Sequence, residues 1–351
     1  MRKTHLLVLI GLSLIIGLSA CHTDEFNAVL PVQPTTTPTV TSEDEEIIDV
    51  PVELEIDSVQ PTAVIVVDDI PAEFIGLACG EVFCQVSWPG WLERPIGEGG
   101  RQTIDHTYPY ASTGDGTLDP HFGVEFPNKY GTPVLAAHDG EVIFARWDNV
   151  TQFGPFLGFY GNVVILHHPR LLNDKQDVYT LYAHLSEIRV EVGDQVETGQ
   201  VIGEVGATGA AIGQHLHFET RLGSNDYDHT VNPVLWFTPL DELHEQGTAM
   251  LAGLIIDQLG NPVTEVPLTL QKLSTTGEVE VKYYYMTYHP IKNNSSAFLG
   301  ENFVLPDLPA GNYRLSFITD YFYEIMFTLE PGSLGFITFQ QPPRSIDDGN
   351  D

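Results

Sequence analysis

Basic residues are scarce in this chain of 351 residues. Only 15 side chains are Lys or Arg, against 48 that are Asp or Glu, and the formal net charge at pH 7 is −33. A field of this sign repels the phosphate backbone of nucleic acid. The composition therefore argues against a nucleic-acid partner and against attachment by attraction to anionic lipid or wall polymers. We interpret the acidic excess as a solubilising surface.

Cysteine is rare as well, with three residues in the whole chain. Cys21 lies near the N-terminus, whereas Cys79 and Cys84 form a close pair in a Gly-containing loop. We predict a disulfide between Cys79 and Cys84. The alternative, a zinc site at this pair, would need two more ligands than the pair supplies.

Long amphipathic helical patterns are absent from the sequence, which has 42% hydrophobic residues, 32 Gly and 24 Pro. This composition is typical of a turn-rich β protein rather than a helical one. The length allows two domains of ordinary size, each with its own core. The predicted fold class is therefore all-β.

The apolar run at the N-terminus, from Leu6 to Leu18, is short for a membrane-spanning helix. Two basic residues precede it and small residues follow it, which is the layout of a cleaved signal peptide over residues 1–20. The end of the run, Leu18-Ser-Ala-Cys21, resembles a bacterial lipobox. That resemblance implies that Cys21 becomes the mature N-terminus and carries acyl chains that anchor the protein to the membrane. The alternative is an uncleaved helix, and either one places the rest of the chain outside the cytoplasm.

Residues 21–62 are acidic and rich in Pro and Thr, without a pattern that builds a core. We predict that they form a tether. Alternating Val and Ile between Val50 and Val67 favours a strand or two instead, so the end of the tether stays open.

Three short segments contain the residue types that bind zinc. They are His121-Phe-Gly-Val-Glu125, Tyr182-Ala-His184-Leu185 and Gly213-Gln-His215-Leu-His217-Phe-Glu219. In a strand, alternate residues share a face, so His121 and Glu125 fall together, as do His215 and His217. Imidazole and carboxylate both bind zinc, and a catalytic site uses three protein ligands and leaves a fourth position for water. The surplus side chains are available for proton transfer.

These segments resemble the lysostaphin-like (LytM-type) zinc endopeptidases, which cut peptide bonds in bacterial peptidoglycan. That family has the pattern His-x-x-x-Asp, a lone His, then His-x-His. The resemblance runs from His121 to Trp236 and includes a glycine framework at Gly131-Thr-Pro-Val134, Asp139-Gly-Glu-Val142, Val192-Gly-Asp194, Gly199, Gly206 and Gly209. It implies one zinc ion per chain, held by His121, Glu125 and His217, with His184 and His215 assisting the bound water and the transition state. Glu125 departs from the usual Asp and is one methylene longer.

The resemblance implies an antiparallel-sheet zinc peptidase domain of the duplicated hybrid motif type, which we place with its lead-in segment at residues 63–245. Residues 250–342 show a second strand pattern with regular turn signals, which predicts a small β-sandwich. This part resembles the carboxypeptidase-regulatory or transthyretin-like modules of secreted enzymes. The acidic end, residues 343–351, is predicted to be disordered.

Four further features have two interpretations each. Because the family pattern assigns proton transfer to the histidines, Glu219 is predicted to orient a neighbouring residue rather than to act as a general base. Tyr108 and Tyr110 either border the substrate groove or pack on the domain edge. The aromatic stretch at residues 145–162 forms either a wall of a binding cleft or a packed hairpin. The glycines of residues 190–213 supply turns, because a phosphate-binding loop would need a Lys and a following helix that the sequence lacks.

Together with the residue pattern, the two resemblances therefore imply a membrane-anchored, extracytoplasmic zinc endopeptidase that acts on peptidoglycan. The main alternative is a catalytically weak or inactive wall-binding or regulatory protein of the same fold. A third interpretation is a structural surface lipoprotein whose histidines are merely packed.

Overall fold

A computed structural model of the chain describes residues 78–79, 82–88, 90–114, 116–169, 171, 176–240, 243–289, 294–296 and 299–343. The chain divides into two units, Met1–Glu55 and Ile56–Asp351, and every described residue belongs to the second. The predicted signal peptide, the lipidation site Cys21, the tether and the tail after residue 343 lie outside the described residues. In the described part of the chain, no helix has the length and apolar character needed to cross a membrane.

Strands make up nearly all of the regular structure, as predicted for an all-β chain. The strands of the first part are β1 Ala78–Cys79, β2 Phe83–Ser87, β3 Val124–Pro127, β4 Pro133–Leu135, β5 Gly140–Trp147, β6 Asn162–His168, β7 Val178–Ala183, β8 Glu187–Ile188, β9 Gln195–Val196, β10 Val201–Glu204, β11 His215–Leu222 and β12 Thr230–Val231. Two short 3-10 helices, Tyr227–His229 and Pro233–Trp236, flank β12. The later strands are β13 Thr248–Ile256, β14 Pro267–Leu273, β15 Val279–Met286, β16 Phe303–Pro309, β17 Gly311–Ile318, β18 Phe322–Leu329 and β19 Ser333–Gln340.

The strands from β3 to β12 build one large antiparallel sheet and one small one. The large sheet has the order β12-β11-β7-β6-β5-β9, and β3 pairs with the first half of β11. Along β6, Val164 and Leu166 enter the main core, whereas Val163 and Ile165 enter a smaller cluster on the opposite face. This is the period of two expected of a strand buried on both faces. The sheet places β3, β11 and β7 side by side and so brings together the three segments with zinc-binding residue types.

The C-terminal part consists of two sheets that enclose one hydrophobic core, as expected of the predicted sandwich. One sheet has the order β1-β2-β19-β13-β16 and the other β15-β14-β17-β18. Their inner faces meet at residues such as Leu251 and Phe303 of the first sheet and Leu270 and Leu315 of the second. Strand alternation in both sheets directs these apolar side chains to one side.

The opposite face of the five-stranded sheet packs on the peptidase part. Met250, Ala252, Val304 and Leu334 alternate with the inner residues and belong to the same core cluster as the peptidase strands. A buried ion pair between Arg94 and Asp307, 2.7 Å long, crosses the same contact. The two parts therefore share a core.

Strands β1 and β2 belong to the C-terminal part, although we predicted them as a lead-in to the peptidase domain. Strand β2 lies antiparallel to β19, and Val82 and Phe83 pack against the sandwich core. The apolar side chains of this stretch thus complete a core that is distant in sequence, whereas the predicted boundary at residue 63 lies outside the described residues and stays a prediction.

The cysteine pair lies in these two strands. Cys84 is disulfide-bonded, and the backbone of Cys79 is its direct partner across the β1–β2 pair. Directly opposed residues of an antiparallel pair lie within the range of distances that a disulfide needs. This placement is consistent with the Cys79–Cys84 bridge, which stays a prediction.

Candidate metal centre

The register of β11 with its two neighbours builds the centre of the site. His217 lies opposite Glu125 of β3 on one side and opposite Ala183 of β7 on the other. Directly opposed side chains on one face of an antiparallel pair have Cβ atoms about 4.5 to 5.5 Å apart. His215 lies two residues earlier on β11 and shares this face, while His184 follows β7 directly. The structure thus brings all five predicted site residues together.

His121 reaches the site from a loop and not, as predicted, from the strand that carries Glu125. Strand β3 begins at Val124, and the backbone of His121 pairs instead with the preceding loop. Its amide donates to the carbonyl oxygen of Ser112 at 2.9 Å, and its own carbonyl oxygen accepts from the amide of Ala111 at 2.8 Å. These two bonds replace the ladder bonds that a longer β3 would make.

Three donor atoms converge at the centre. Nε2 of His121 lies 3.0 Å from Oε1 of Glu125, and Nδ1 of His217 lies 3.1 Å from the same oxygen. The two nitrogen atoms are 3.2 Å apart. The residues form one compact group whose ligand atoms all lie within 4.8 Å of one another. Two imidazoles and a carboxylate are a ligand set that zinc accepts.

Hydrogen bonds on the far side of each ring fix which nitrogen atom faces the centre. Nδ1 of His121 donates to the carbonyl oxygen of Tyr108 at 3.0 Å, so Nε2 is directed inward. Nε2 of His217 donates to Oε1 of Glu219 at 3.0 Å, so Nδ1 is directed inward. Such partners fix the ring orientation and the basicity of metal-binding histidines. The donor set therefore fits a metal ion.

Glu219 is itself held by a fully buried network. Arg221 donates to Oε2 of Glu219 through Nε at 2.8 Å, and Thr230 donates to the same oxygen at 3.2 Å. The hydroxyl of Tyr160 donates to Oε1 of Glu219, and the Tyr160 ring packs 5.6 Å from that of His217. These contacts agree with the prediction that Glu219 orients a neighbour.

The charges of the centre are coupled. Burial would raise the pKa of Glu125, but the charge of His217 and hydrogen bonds from the surrounding imidazoles outweigh it and hold that pKa well below its usual range. Burial would lower the pKa of His217, but Glu125 and Glu219 outweigh it and raise the pKa to about 9. Glu125 is thus a carboxylate, and a proton and a metal ion compete for Nδ1 of His217.

The two remaining histidines lie beside this centre. Nε2 of His215 is 2.9 Å from Oε2 of Glu125, and the rings of His215 and His184 are 4.9 Å apart. Nδ1 of His184 donates to the carbonyl oxygen of Thr208 at 2.8 Å. Burial, with a further contribution from the charge of His217, lowers the pKa of His184 to about 3. His184 is therefore neutral at physiological pH.

His184 has an unusual backbone conformation beside two loops that pack on each other, one containing Gly161 and the other Gly209. Its φ is 62°, in the left-handed region that non-glycine residues seldom adopt. Its amide donates to the carbonyl oxygen of Tyr160 at 2.9 Å. The loops touch through backbone atoms, and a Cβ on Gly161 or Gly209 would approach the other loop's backbone to 2.5 Å. The absence of a side chain at Gly161 and Gly209 thus allows the close approach of the two loops.

The two tyrosines of the loop before His121 differ from each other. Tyr108 is partly exposed and stacks on His121, with 4.2 Å between ring centroids. Tyr110 is buried and donates to the carbonyl oxygen of Thr230 at 3.0 Å. Tyr110 therefore follows the packing interpretation, whereas Tyr108 lies at the metal centre.

Three residues that surround Glu219 were not predicted as site residues: Arg221, Tyr160 and Thr230. Arg221 continues the alternation of His217 and Glu219 along β11, so its position on this face could have been predicted. Tyr160 lies in the predicted cleft-wall stretch but is fully buried. Only the fold shows that Tyr160 and Thr230 contact Glu219.

Comparisons with known proteins agree with this geometry. Residues 119–233 match the protein family described as Peptidase family M23. The DD-carboxypeptidase/endopeptidase Mpg of Neisseria meningitidis serogroup B is 37% identical over 133 residues, which are 38% of this chain and 26% of that protein. The peptidoglycan DD-endopeptidase ShyB of Vibrio cholerae is 32% identical over 147 residues, 39% of this chain and 30% of that protein.

Among solved structures, the catalytic domain of lysostaphin from Staphylococcus simulans is 34% identical and covers 37% of this chain and 88% of that chain, with a TM-score of 0.30. The chain spans between a quarter and a third of the length of Mpg and ShyB. The family match at residues 119–233 includes the residues of the metal centre.

Proposed function

Residues 119–233 form a peptidase domain of family M23, and from that premise we propose that the protein is a zinc-dependent endopeptidase that hydrolyses peptide bonds of peptidoglycan. The observation that carries the proposal is the convergence of His121, Glu125 and His217, with both ring orientations fixed by hydrogen bonds from outside. Mpg is named as a DD-carboxypeptidase/endopeptidase and ShyB as a peptidoglycan DD-endopeptidase, and these names support peptidoglycan as the substrate class.

Zinc would be held by Nε2 of His121, the carboxylate of Glu125 and Nδ1 of His217. When bound there, it supplies a Lewis acid and lowers the pKa of water from about 15.7 toward about 7. The longer side chain of Glu125 still brings one oxygen to both imidazole nitrogens, at 3.0 and 3.1 Å. The replacement of Asp by Glu is therefore compatible with metal binding.

We assign proton transfer to His184 and His215. Because Nδ1 of His184 donates to Thr208, its Nε2 carries the lone pair and can accept a proton or a hydrogen bond. Nε2 of His215 lies 2.9 Å from Oε2 of Glu125, whereas Oε1 of Glu125 faces His121 and His217. The pair would accept a proton as the peptide bond is attacked and carry it to the leaving amine, a role that peptide hydrolysis requires.

The test is digestion of purified peptidoglycan by the full chain, zinc-loaded and chelator-stripped in parallel, followed by mass spectrometry of the released fragments. New peptide ends that appear only with zinc support the proposal and identify the bond. Bound zinc without cleavage across several wall chemistries would favour the wall-binding or regulatory alternative.

We further propose that the enzyme acts outside the cytoplasm, anchored to the bacterial membrane by acyl chains on Cys21. The support is the lipobox-like sequence Leu18-Ser-Ala-Cys21 after an apolar run. Cys21→Ala should move the protein from the membrane fraction to the soluble fraction. Retention of the variant in the membrane would favour an uncleaved N-terminal helix.

A further inference from the structure

Asn294 connects the C-terminal part of the chain to the peptidase part. It lies between β15 and β16, and its backbone forms a parallel bridge with Val231 of β12. Its side-chain amide donates to the carbonyl oxygens of Asp228 at 2.7 Å and Thr230 at 2.9 Å. Its backbone amide donates to the hydroxyl of Tyr110 at 3.1 Å. One residue thus holds two separate segments of the peptidase part.

The first of these segments leads to His121. Tyr110 is buried, and its ring packs edge-on against Tyr288 of the C-terminal part at 5.4 Å. The next residue, Ala111, has a φ of 70° and donates its amide to the carbonyl oxygen of His121. The two residues before Tyr110 offer the carbonyl oxygens that accept from Nδ1 of His121. Anchoring Tyr110 therefore fixes the turn that orients this imidazole.

The second segment leads to His217. The carbonyl oxygen of Thr230 accepts from Asn294, and the hydroxyl of the same threonine donates to Oε2 of Glu219 at 3.2 Å. The other oxygen of Glu219 accepts from Nε2 of His217. The same asparagine is therefore linked by hydrogen bonds to both imidazoles of the metal centre.

We propose that Asn294 is a positioning residue for the metal centre, through which the C-terminal part sets the affinity of the peptidase site for zinc. The inference rests on the proposed function, because it requires that the site bind zinc. The C-terminal part is then a component of the site and more than a spacer. Without the side-chain amide of Asn294, the Thr230 segment loses two anchoring bonds, and the backbone amide that donates to Tyr110 loses the contacts that fix its position.

The chain offers a matched control in Asn302. Its side-chain amide also donates to two backbone carbonyl oxygens, those of Ile255 at 2.9 Å and Val263 at 2.8 Å. Both acceptors lie within the C-terminal part, so Asn302 supports the fold without contacting either segment that leads to the metal centre. Each alanine variant thus removes two side-chain amide bonds to backbone carbonyl oxygens, and Asn302→Ala also removes the bond that Oδ1 of Asn302 accepts from the amide of Ile255 at 3.0 Å. Only Asn294→Ala should change zinc binding.

The experiment measures the zinc dissociation constant of the full chain by competition with a chromophoric chelator, after circular dichroism has shown that each variant is folded. Asn294→Ala should weaken zinc binding by about tenfold or more, the effect of losing a partner that orients a metal ligand. Asn294→Asp, which keeps the shape but cannot donate, should weaken it as well. Asn302→Ala should lower the unfolding temperature and leave the zinc dissociation constant unchanged.

Wild-type zinc affinity in Asn294→Ala, or equal weakening in Asn302→Ala, would overturn the inference. Absence of zinc binding in the wild-type chain would instead overturn the proposed function. If Asn294→Ala does not fold, Tyr110→Phe takes its place, because it keeps the ring and removes the hydroxyl that accepts from the backbone amide of Asn294 and donates to the carbonyl oxygen of Thr230. Unchanged zinc affinity in folded Tyr110→Phe would then overturn the inference.

Discussion

Nε2 of His217 lies 3.0 Å from Oε1 of Glu219, on the side of the ring opposite the metal centre. Glu219 is fully buried and shares its other oxygen with Arg221, which is equally buried. Arg221 and His217 outweigh the effect of burial and lower the pKa of Glu219 to about 2. The carboxylate therefore stays charged and holds the imidazole in one orientation.

Glu219→Gln should weaken both zinc binding and the fold. An amide can accept from His217, but it leaves the buried guanidinium of Arg221 without its counter-charge. Breaking a buried ion pair on one side costs about 3 to 5 kcal/mol of folding free energy, and loss of a ligand-orienting partner lowers metal affinity about 10- to 100-fold. Urea denaturation and chelator competition measure the two effects.

The same substitution in an exposed pair provides the control. Glu204 lies 2.5 Å from Arg189, whose side chain is 45% exposed. Glu204→Gln should leave the stability nearly unchanged, because solvent screens such pairs. Equal losses of stability in the two variants would contradict a special role for the buried pair.

Gly123→Ala should disturb His217 directly. A Cβ at this position would lie 2.6 Å from Cε1 of His217 and 2.7 Å from the backbone carbonyl oxygen of Phe218. Because the backbone oxygen cannot move aside easily, the imidazole must shift away from its position. We expect weaker zinc binding and a loss of about 1 to 3 kcal/mol of stability, as for other overpacked sites. Gly99→Ala, where a Cβ meets nothing within 4 Å, should leave zinc binding unchanged in the same titration.

His217→Ala and His215→Ala should separate metal binding from proton transfer. His217 is one of the three proposed ligands, so His217→Ala should lose zinc. His215 contacts the outer oxygen of Glu125, so His215→Ala should keep zinc and lose turnover by roughly 10²- to 10⁴-fold, the contribution of a positioned acid or base. Zinc content by elemental mass spectrometry and fragment release from peptidoglycan test the pair. Undiminished hydrolysis in His215→Ala would remove that residue from the mechanism.

The sequence was sufficient where the site follows strand periodicity. The alternation of His215, His217 and Glu219 placed them on one face of β11, as the structure confirms. His121 is different, because backbone bonds to Ala111 and Ser112 keep it out of β3, and alternation does not encode such a pairing.

Contacts between residues far apart in the sequence could not be predicted either, because strand alternation does not encode them. Tyr160 reaches Glu219 across 59 positions of sequence, and Asn294 reaches Tyr110 across 184. Neither residue has a periodic partner that would suggest the contact. The pairing of β2 with the sandwich sheet could not be predicted either, because it depends on which hydrophobic core the apolar side chains of β2 complete.

The buried carboxyl group of Glu301 should make the stability of the protein depend on pH. It is fully buried in the C-terminal part, where the amide and the hydroxyl of Ser296 donate to its carboxyl group and the hydroxyl of Tyr288 lies 3.4 Å away. Burial outweighs these hydrogen bonds and raises the pKa of Glu301 from 4.5 to about 7. The folded protein therefore binds this proton more tightly than the unfolded chain does.

Because the folded-state pKa is the higher one, the contribution of Glu301 to stability is fully present below about pH 4.5 and is lost as pH rises through about 7. The shift corresponds to about 3 kcal/mol. Glu301→Gln keeps a neutral group of similar shape, so its free energy of unfolding should fall less than that of the wild type between about pH 5 and about pH 8. Urea denaturation of both proteins at the two pH values measures this difference. Parallel losses in the wild type and the variant would show that Glu301 ionises in the folded protein without cost.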